Sequence, residues 1–277
     1  MPARTIQSKD NARLKELRRA LAGPRRAPES LVGIEGPNLV AEALRSGLGV
    51  STIFVAQGSE SLLDGWKLPA EVEILQLPAK LLAAALATET PQPVAALVAP
   101  PRWEWDSLFN RKRRGEPLIL VLAGLQDPGN LGTILRSAEA FGATGIIALP
   151  GTTNAWNPKA VRASAGSLFR VPLIETTVEE CFARLRAAKV AVFTTALRQA
   201  TPAGRAGLRA PVALLIGNEG NGVPAEIAGQ ADAAITIPCP GPVESLNAAV
   251  AASVLLYEAA RQRESSPAAI RPSGARR

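Results

Sequence analysis

From Glu116 onward, short apolar runs alternate with amphipathic stretches. The runs at 118–125, 145–149, 190–194, 212–216 and 235–237 are too short for helices and nearly continuous in apolar residues, as strands covered on both faces are. Between the first two, 130–141 places Leu131, Ile134, Leu135, Ala138 and Phe141 at helical spacing, and Gly142 supplies a C-terminal stop. A second long helix is expected over 246–260. This alternation predicts an α/β fold, a mostly parallel sheet with helices on both faces. Ligands of such sheets bind beyond the carboxyl ends of the strands.

The first 98 residues read as a smaller α/β unit. A basic helix is expected at 11–21, strands at 31–34, 51–56, 71–75 and 94–98, and helices at 37–44 and 78–86. Residues 99–116 break the pattern with Pro100, Pro101 and the aromatics Trp103, Trp105 and Phe109, and are expected to be an exposed connector. The aromatics either stack on bases or pin the connector to one domain. The expected division is therefore 1–98, a linker at 99–116, a main domain at 117–262, and a disordered Ser-, Pro- and Arg-rich tail at 263–277.

Composition narrows the chemistry. The 277 residues carry 31 Lys and Arg against 24 Asp and Glu, a net charge of +7, which favours a polyanionic partner. The cations cluster: Arg13, Lys15, Arg18, Arg19, Arg25 and Arg26 near the start, the block Arg111 to Arg114, then Arg271, Arg276 and Arg277. There is no histidine, so any proton transfer must use a carboxylate, an amine, a guanidinium or a hydroxyl. The two cysteines, Cys181 and Cys239, are far apart, which excludes a disulfide scaffold and a cysteine-rich zinc site; no metal is expected. No apolar run reaches the roughly 18 residues of a membrane span, and Met1 to Asp10 is charged where a signal peptide is apolar. The reading is a cytoplasmic protein without a membrane partner.

Three loops carry candidate chemistry. Gln126 to Thr133 follows a strand and opens a helix, on which Arg136 points away from the buried stripe and can face a cleft or simply solvent. Its glycines do not match the dinucleotide fingerprint, which disfavours a nicotinamide-dependent dehydrogenase. Ile216-Gly217-Asn218-Glu219-Gly220-Asn221-Gly222 ends a buried strand in a polar, glycine-rich loop, with nothing local to shield the Glu219 carboxylate. A ligand loop and a plain turn both explain it. Ile237 to Asn247 is stiffened by prolines; Ser245 can cap the helix that follows, and Asn247 falls in its first turn, where the dipole favours partial negative charge.

In order, these segments resemble the signature motifs of the SpoU/TrmH family of RNA ribose methyltransferases. Asn130 to Gly142 is similar to the first motif, Ile216 to Gly220 to the second, and Ile237-Pro238 through Ser245-Leu246-Asn247 to the third. Asn157 to Gly166 resembles the family's segment between the first two. The N-terminal unit is similar to the RNA-binding domain often attached to this family, through Ile34-Glu35-Gly36-Pro37 and Thr90-Pro91-Gln92. Pro93 departs from the family's usual glycine there, and Cys239 and Ala248 stand where methionine and serine are common.

The resemblance implies a C-terminal trefoil knot and a homodimer with the active site near the subunit interface. It also implies S-adenosylmethionine bound by Thr195, Ala196, Leu215, Ile216, Gly217, Ile237, Cys239, Ser245 and Leu246. It assigns catalysis to Arg136, with Asn130, Glu219, Ser245 and Asn247 positioning the reactants. A guanidinium with a pKa above about 12 is a poor base, so Arg136 is expected either to shed its proton in a changed environment or to act electrostatically. The expected reaction is methylation of a ribose 2′-hydroxyl, in large-subunit ribosomal RNA first and transfer RNA second. A non-catalytic RNA-binding assembly factor of the same fold is the alternative.

Overall fold

The computed structural model describes residues 4–23, 30–86, 88–110, 115–243 and 245–264. The basic block Arg111 to Arg114, Arg25, Arg26, Arg271, Arg276 and Arg277 lie outside the described residues, as does the expected tail beyond Glu264.

The N-terminal unit is built on a five-stranded mixed sheet of β1 (Arg4–Thr5), β2 (Val32–Glu35), β3 (Gly49–Ala56), β4 (Glu73–Leu77) and β5 (Val94–Ala99), in the order β1-β4-β3-β5-β2. β3 pairs parallel with β4 and antiparallel with β5. Successive side chains of β3 point to opposite faces, and both faces are covered: Ile53 and Val55 enter one core, Phe54 and Ala56 another. Helix α1 (Ala12–Leu21) covers the second face with Leu14, Leu17 and Leu21, its first turn held by the Asn11 side chain. Helix α2 (Pro37–Arg45) covers the first with Leu39, Val40 and Ala43. The helix expected at 78–86 is shorter, α3 (Ala79–Ala83).

The connector is not simply exposed. It contains a turn of helix, α4 (Asp106–Phe109), whose Leu108 is fully buried against the main sheet. Trp105 stacks on Phe109 at 6.2 Å, and the Arg184 guanidinium sits over the Trp105 ring. Of the two readings of these aromatics, Trp105 and Phe109 follow the pinning one.

The main sheet has seven strands: β6 (Leu118–Ala123), β7 (Gly145–Ala148), β8 (Leu173–Glu175), β9 (Ala191–Thr195), β10 (Thr201–Pro202), β11 (Val212–Gly217) and β12 (Ala233–Thr236), ordered β10-β12-β9-β11-β6-β7-β8. Every pairing is parallel. On one face lie α5 (Pro128–Ala140), α6 (Pro158–Ser164) and α9 (Ala248–Glu264); on the other, α7 (Val178–Ala187) and the turn α8 (Ala225–Ala228). β6 divides its side chains accordingly: Leu118, Leu120 and Leu122 meet the first set of helices, Ile119, Val121 and Ala123 the second. The first of these cores runs on into the N-terminal unit through Val32, Ile34, Leu39 and Val40.

Arg263, where the tail is expected to begin, is helical. Arg263 is the penultimate residue of α9 and its guanidinium donates to the carbonyls of Leu208, Glu116, Pro117 and Ala210 at 2.6–2.9 Å. Among the described residues no helix is long and apolar enough to cross a membrane.

Candidate active site

Because the strands of the main sheet are parallel, their carboxyl ends share one edge. Four loops gather there, following β6, β9, β11 and β12. The ends are stitched together locally. Thr195 Oγ1 donates to the Leu215 carbonyl at 3.0 Å, and the Ala196 N–H to the Ile235 carbonyl at 3.0 Å.

The loop after β6 leads straight into α5. Asp127 caps this helix, accepting the Gly129 N–H at 2.8 Å, while Pro128 occupies the first helical position, where its missing N–H costs nothing. Lys159 at the start of α6 donates to the same carboxylate oxygen at 2.7 Å. The Lys159 ammonium, then the Gly129 amide, hold the Asp127 carboxyl below its ordinary range. Gly132 is where α5 and α6 touch: a Cβ there would lie 2.4 Å from Ala163 Cβ and 2.6 Å from the Ala160 carbonyl.

The loop after β11 is a tight return rather than a loose turn. Asn218 and Gly222 exchange main-chain bonds at 2.9 and 3.0 Å, and Asn218 Nδ2 reaches the Gly124 carbonyl at 2.9 Å. A Cβ on Gly217 would fall 2.1 Å from the Gly222 carbonyl carbon, so the return closes only with glycine there.

This return aims Glu219 at the first loop. The shielding that Glu219 lacks from its neighbours in sequence comes from the first loop: Oε1 accepts from Asn130 Nδ2 at 2.9 Å and the Asp127 N–H at 3.1 Å, and Oε2 from the Gln126 N–H at 3.2 Å. Partial burial opposes its charge, but Asn130, the main-chain N–H of Glu219 itself and those of Asp127 and Gln126 together outweigh burial and hold the Glu219 pKa below its usual value.

The third loop closes the chain of contacts. Asn247 Nδ2 donates to Asn130 Oδ1 at 3.1 Å. Asn247, rather than Ser245, caps α9, its Oδ1 accepting the N–H groups of Ala249 and Val250 at 2.9 and 3.3 Å. It therefore stands just ahead of the helix and not inside its first turn. The correction has a simple cause: a capping side chain reaches two or three residues forward, and α9 starts at Ala248. Residues 130, 219 and 247, far apart in the chain, form one hydrogen-bonded row.

Arg136 lies further along α5, exposed, and pairs with no carboxylate among the described residues. Ser245 and Cys239 are exposed in the loop after β12, Ile237 and Leu246 half-buried, and Cys239 Sγ contacts the Ile237 carbonyl at 3.4 Å. Leu215, Ile216 and Gly217 are buried at the end of β11. The Asp127–Lys159 pair and Asn218 were not foreseen. Asp-Pro before an amphipathic run is a readable helix start and signals the first; nothing local signals Lys159.

Fold and site together define a class: α/β proteins whose loops gather polar groups at the carboxyl edge of a parallel sheet, the edge at which such folds bind ligands. Residues 117–257 match the model of the SpoU rRNA methylase family, and residues 11–96 the MRM3-like substrate binding domain. The chain is 33% identical over 252 residues to the 23S rRNA (guanosine(2553)-2'-O)-methyltransferase RlmP of Bacillus subtilis, covering 91% of this chain and 97% of that protein. Among solved structures it resembles the SpoU methyltransferase AviRb from Streptomyces viridochromogenes in complex with AdoMet. The TM-score is 0.77 at 30% identity, with 92% of this chain and 99% of that one covered. It also resembles the AdoMet-bound rRNA methyltransferase from Sinorhizobium meliloti, with TM-score 0.78 at 30% identity over 94% of this chain and 98% of the other. The chain belongs to the SpoU rRNA methylase family and is an RNA methyltransferase.

Proposed function

We propose that this enzyme methylates a ribose 2′-hydroxyl in large-subunit ribosomal RNA, taking the methyl group from S-adenosylmethionine and acting as a cytoplasmic homodimer. The observation that carries the reading is the row Asn247–Asn130–Glu219 beside the unpaired Arg136. A binding module has no use for a carboxylate buttressed against the start of α5 together with a guanidinium on the same helix that pairs with no carboxylate among the described residues.

The residues present fit the donor. From Pro238 to Leu246 no main-chain N–H among the described residues donates to another protein group, leaving polar backbone edges beside the apolar Ile237 and Leu246. That mixture suits an adenine ring, which needs main-chain partners at its edge and apolar contact on its faces. Thr195, Ala196, Leu215, Ile216, Gly217, Ile237, Cys239, Ser245 and Leu246 form this pocket. To reach Asn130 from β12, residues 237–247 must cross the ends of β9 and β11, the path that a trefoil knot requires. The division into 1–98, 99–116 and a main domain from 117 is part of the proposal; two separate sheets support it, and the helical Arg263 supports extending the main domain to Glu264.

When bound, the sulfonium supplies an already activated methyl group. The protein therefore has two tasks: aligning the ribose oxygen in line with the methyl carbon and stabilising charge on that oxygen. Glu219 fixes Asn130 and, through it, Asn247, so the two amides present a preset surface to the ribose. Arg136, without a carboxylate partner among the described residues, offers its charge to an RNA phosphate and to the ribose oxygen as the new O–CH3 bond replaces the S–CH3 bond and the hydroxyl proton passes to solvent. Arg136→Ala is expected to lower methyl transfer at least about a hundredfold while calorimetry shows unchanged donor affinity. A variant that instead loses donor affinity takes Arg136 out of the reaction centre. Mass-spectrometric mapping of ribosomal and transfer RNA after reaction tests the substrate, and label found only in transfer RNA overturns it.

A further inference from the structure

The N-terminal unit and the catalytic sheet are joined by charge as well as by apolar contact. Arg170, half-buried after the short turn Ser167–Phe169, forks onto Glu139 of α5 with Nε and Nη2. Its remaining nitrogen, Nη1, donates to Glu42 Oε2 of α2 at 2.7 Å and to Ser46 Oγ at 2.8 Å. Such bidentate, charge-assisted contacts are directional in a way that apolar packing is not. Close by, the Gly166 backbone lies against the Glu42 side chain: a Cβ on Gly166 would lie 2.9 Å from Glu42 Cβ. Beside it lies a narrow gap between Leu21, Ile34 and Leu39 on one side and Val161 and Arg162 on the other. Apolar packing holds the units together, while the directional bonds of Arg170 constrain the angle between them.

Glu139 stands one helical turn from Arg136, so the two project from neighbouring faces of α5. Arg170 thus links a helix of the N-terminal unit to the helix carrying the proposed catalytic guanidinium. We infer that Arg170 is a positioning residue: through Glu42 and Glu139 it sets the angle at which RNA held by the N-terminal unit delivers its target ribose to Arg136. The inference rests on the methyltransferase reading above. The covalent connection and the continuous apolar core keep the two units at a spacing that lets both engage one RNA. A loosened clamp should then spare affinity and cost turnover, because fewer complexes hold the target ribose in line.

Glu42→Ala removes the charged contact between the units and leaves Arg170–Glu139 and the weaker Ser46 contact in place; Glu42→Gln keeps a neutral acceptor. Single-turnover transfer to transcribed 23S rRNA, RNA filter binding and donor calorimetry are measured together. Glu42→Ala should lower the transfer rate about tenfold with both affinities changed less than about twofold, and Glu42→Gln should recover most of the rate. An unchanged rate, or a rate loss matched by lost RNA affinity, overturns the inference. If Glu42→Ala melts at low temperature, Ser46→Ala is read in the same way. Energy transfer between dyes at Ser61→Cys and Arg186→Cys, in a Cys239→Ser background, reports the angle without any turnover. A broadened distance distribution on adding Glu42→Ala supports the clamp even if wild-type protein methylates nothing, and an unchanged one removes it.

Discussion

Cys181 and Cys239 meet opposite surroundings, and the difference probes the proposed donor pocket. Cys181 is packed under α7, where burial pushes its thiol pKa up to about 12 and leaves it inert near neutrality. Cys239 is exposed in the loop after β12. Brief alkylation followed by peptide mass spectrometry should mark Cys239 alone, and saturating S-adenosylhomocysteine should protect it. Equal labelling with and without that product would remove Cys239 from the pocket. Glu219 gives a second residue-scale expectation. Its folded pKa lies below the ordinary 4.5, so its contribution to the site is complete above that pH and fades as pH falls through the folded value. Donor affinity should drop along that acid limb in the native enzyme. In Glu219→Gln it should already be weaker at neutral pH and lack the Glu219-linked part of the drop, because the amide N–H₂ faces main-chain donors without an acceptor to offer. Calorimetry across pH decides it, and superimposable profiles would mean that Glu219 does not organise the pocket.

At the scale of elements, the helix pair α5 and α6 is the support on which the first loop rests. Gly132→Ala adds a methyl within 2.4–2.9 Å of Ala163 and the α6 backbone. The overpacking cost of about 1–3 kcal/mol should exceed the gain of about 1 kcal/mol from alanine in a helix. Urea unfolding should show a net loss, and a more stable variant would mean the helices separate freely. The pattern of strands and the stripe Leu131, Ile134, Leu135, Ala138 were legible in the sequence because apolar periodicity over ten or more residues leaves few alternatives. The helix at Pro158–Ser164 and the strands Leu173–Glu175 and Thr201–Pro202 were not, being too short to display a period. The motif residues of the site could be named from family resemblance, but their bonding could not: Glu219 meets partners about ninety positions away, and no local rule selects them. Arg263 was misread for the opposite reason. A lone arginine beside Ser, Pro and Arg looks like tail, yet four carbonyls at the amino ends of β6 and β11 converge on it.

For the whole molecule, the proposed dimer can be tested on the face of α9 turned away from its own core. Ala252, Leu255, Leu256 and Ala259 are buried within the chain, while Val250, Val254 and Tyr257 on the outer side are 48%, 38% and 54% exposed. From Ala248 to Tyr257 the helix is therefore largely apolar all round, a pattern that belongs to buried helices. The exposed three recur at i, i+4 and i+7, one continuous stripe. The same helix packs against α5 on its flank: Ser253 bonds Ser137 at 2.7 Å and the Tyr257 ring meets Phe141 edge-on at 5.8 Å. A second subunit on this stripe would bury it and brace α5, whose amino end carries Asn130 and whose middle carries Arg136. Val254→Glu places a charge in the centre of the stripe, and desolvating an unpaired carboxylate costs several kcal/mol. Sedimentation should shift from dimer to monomer with the circular dichroism spectrum unchanged, and methyl transfer should fall with the dimer fraction. A wild-type protein that sediments as a monomer while transferring methyl groups would leave the stripe without this role and place the complete site within one chain.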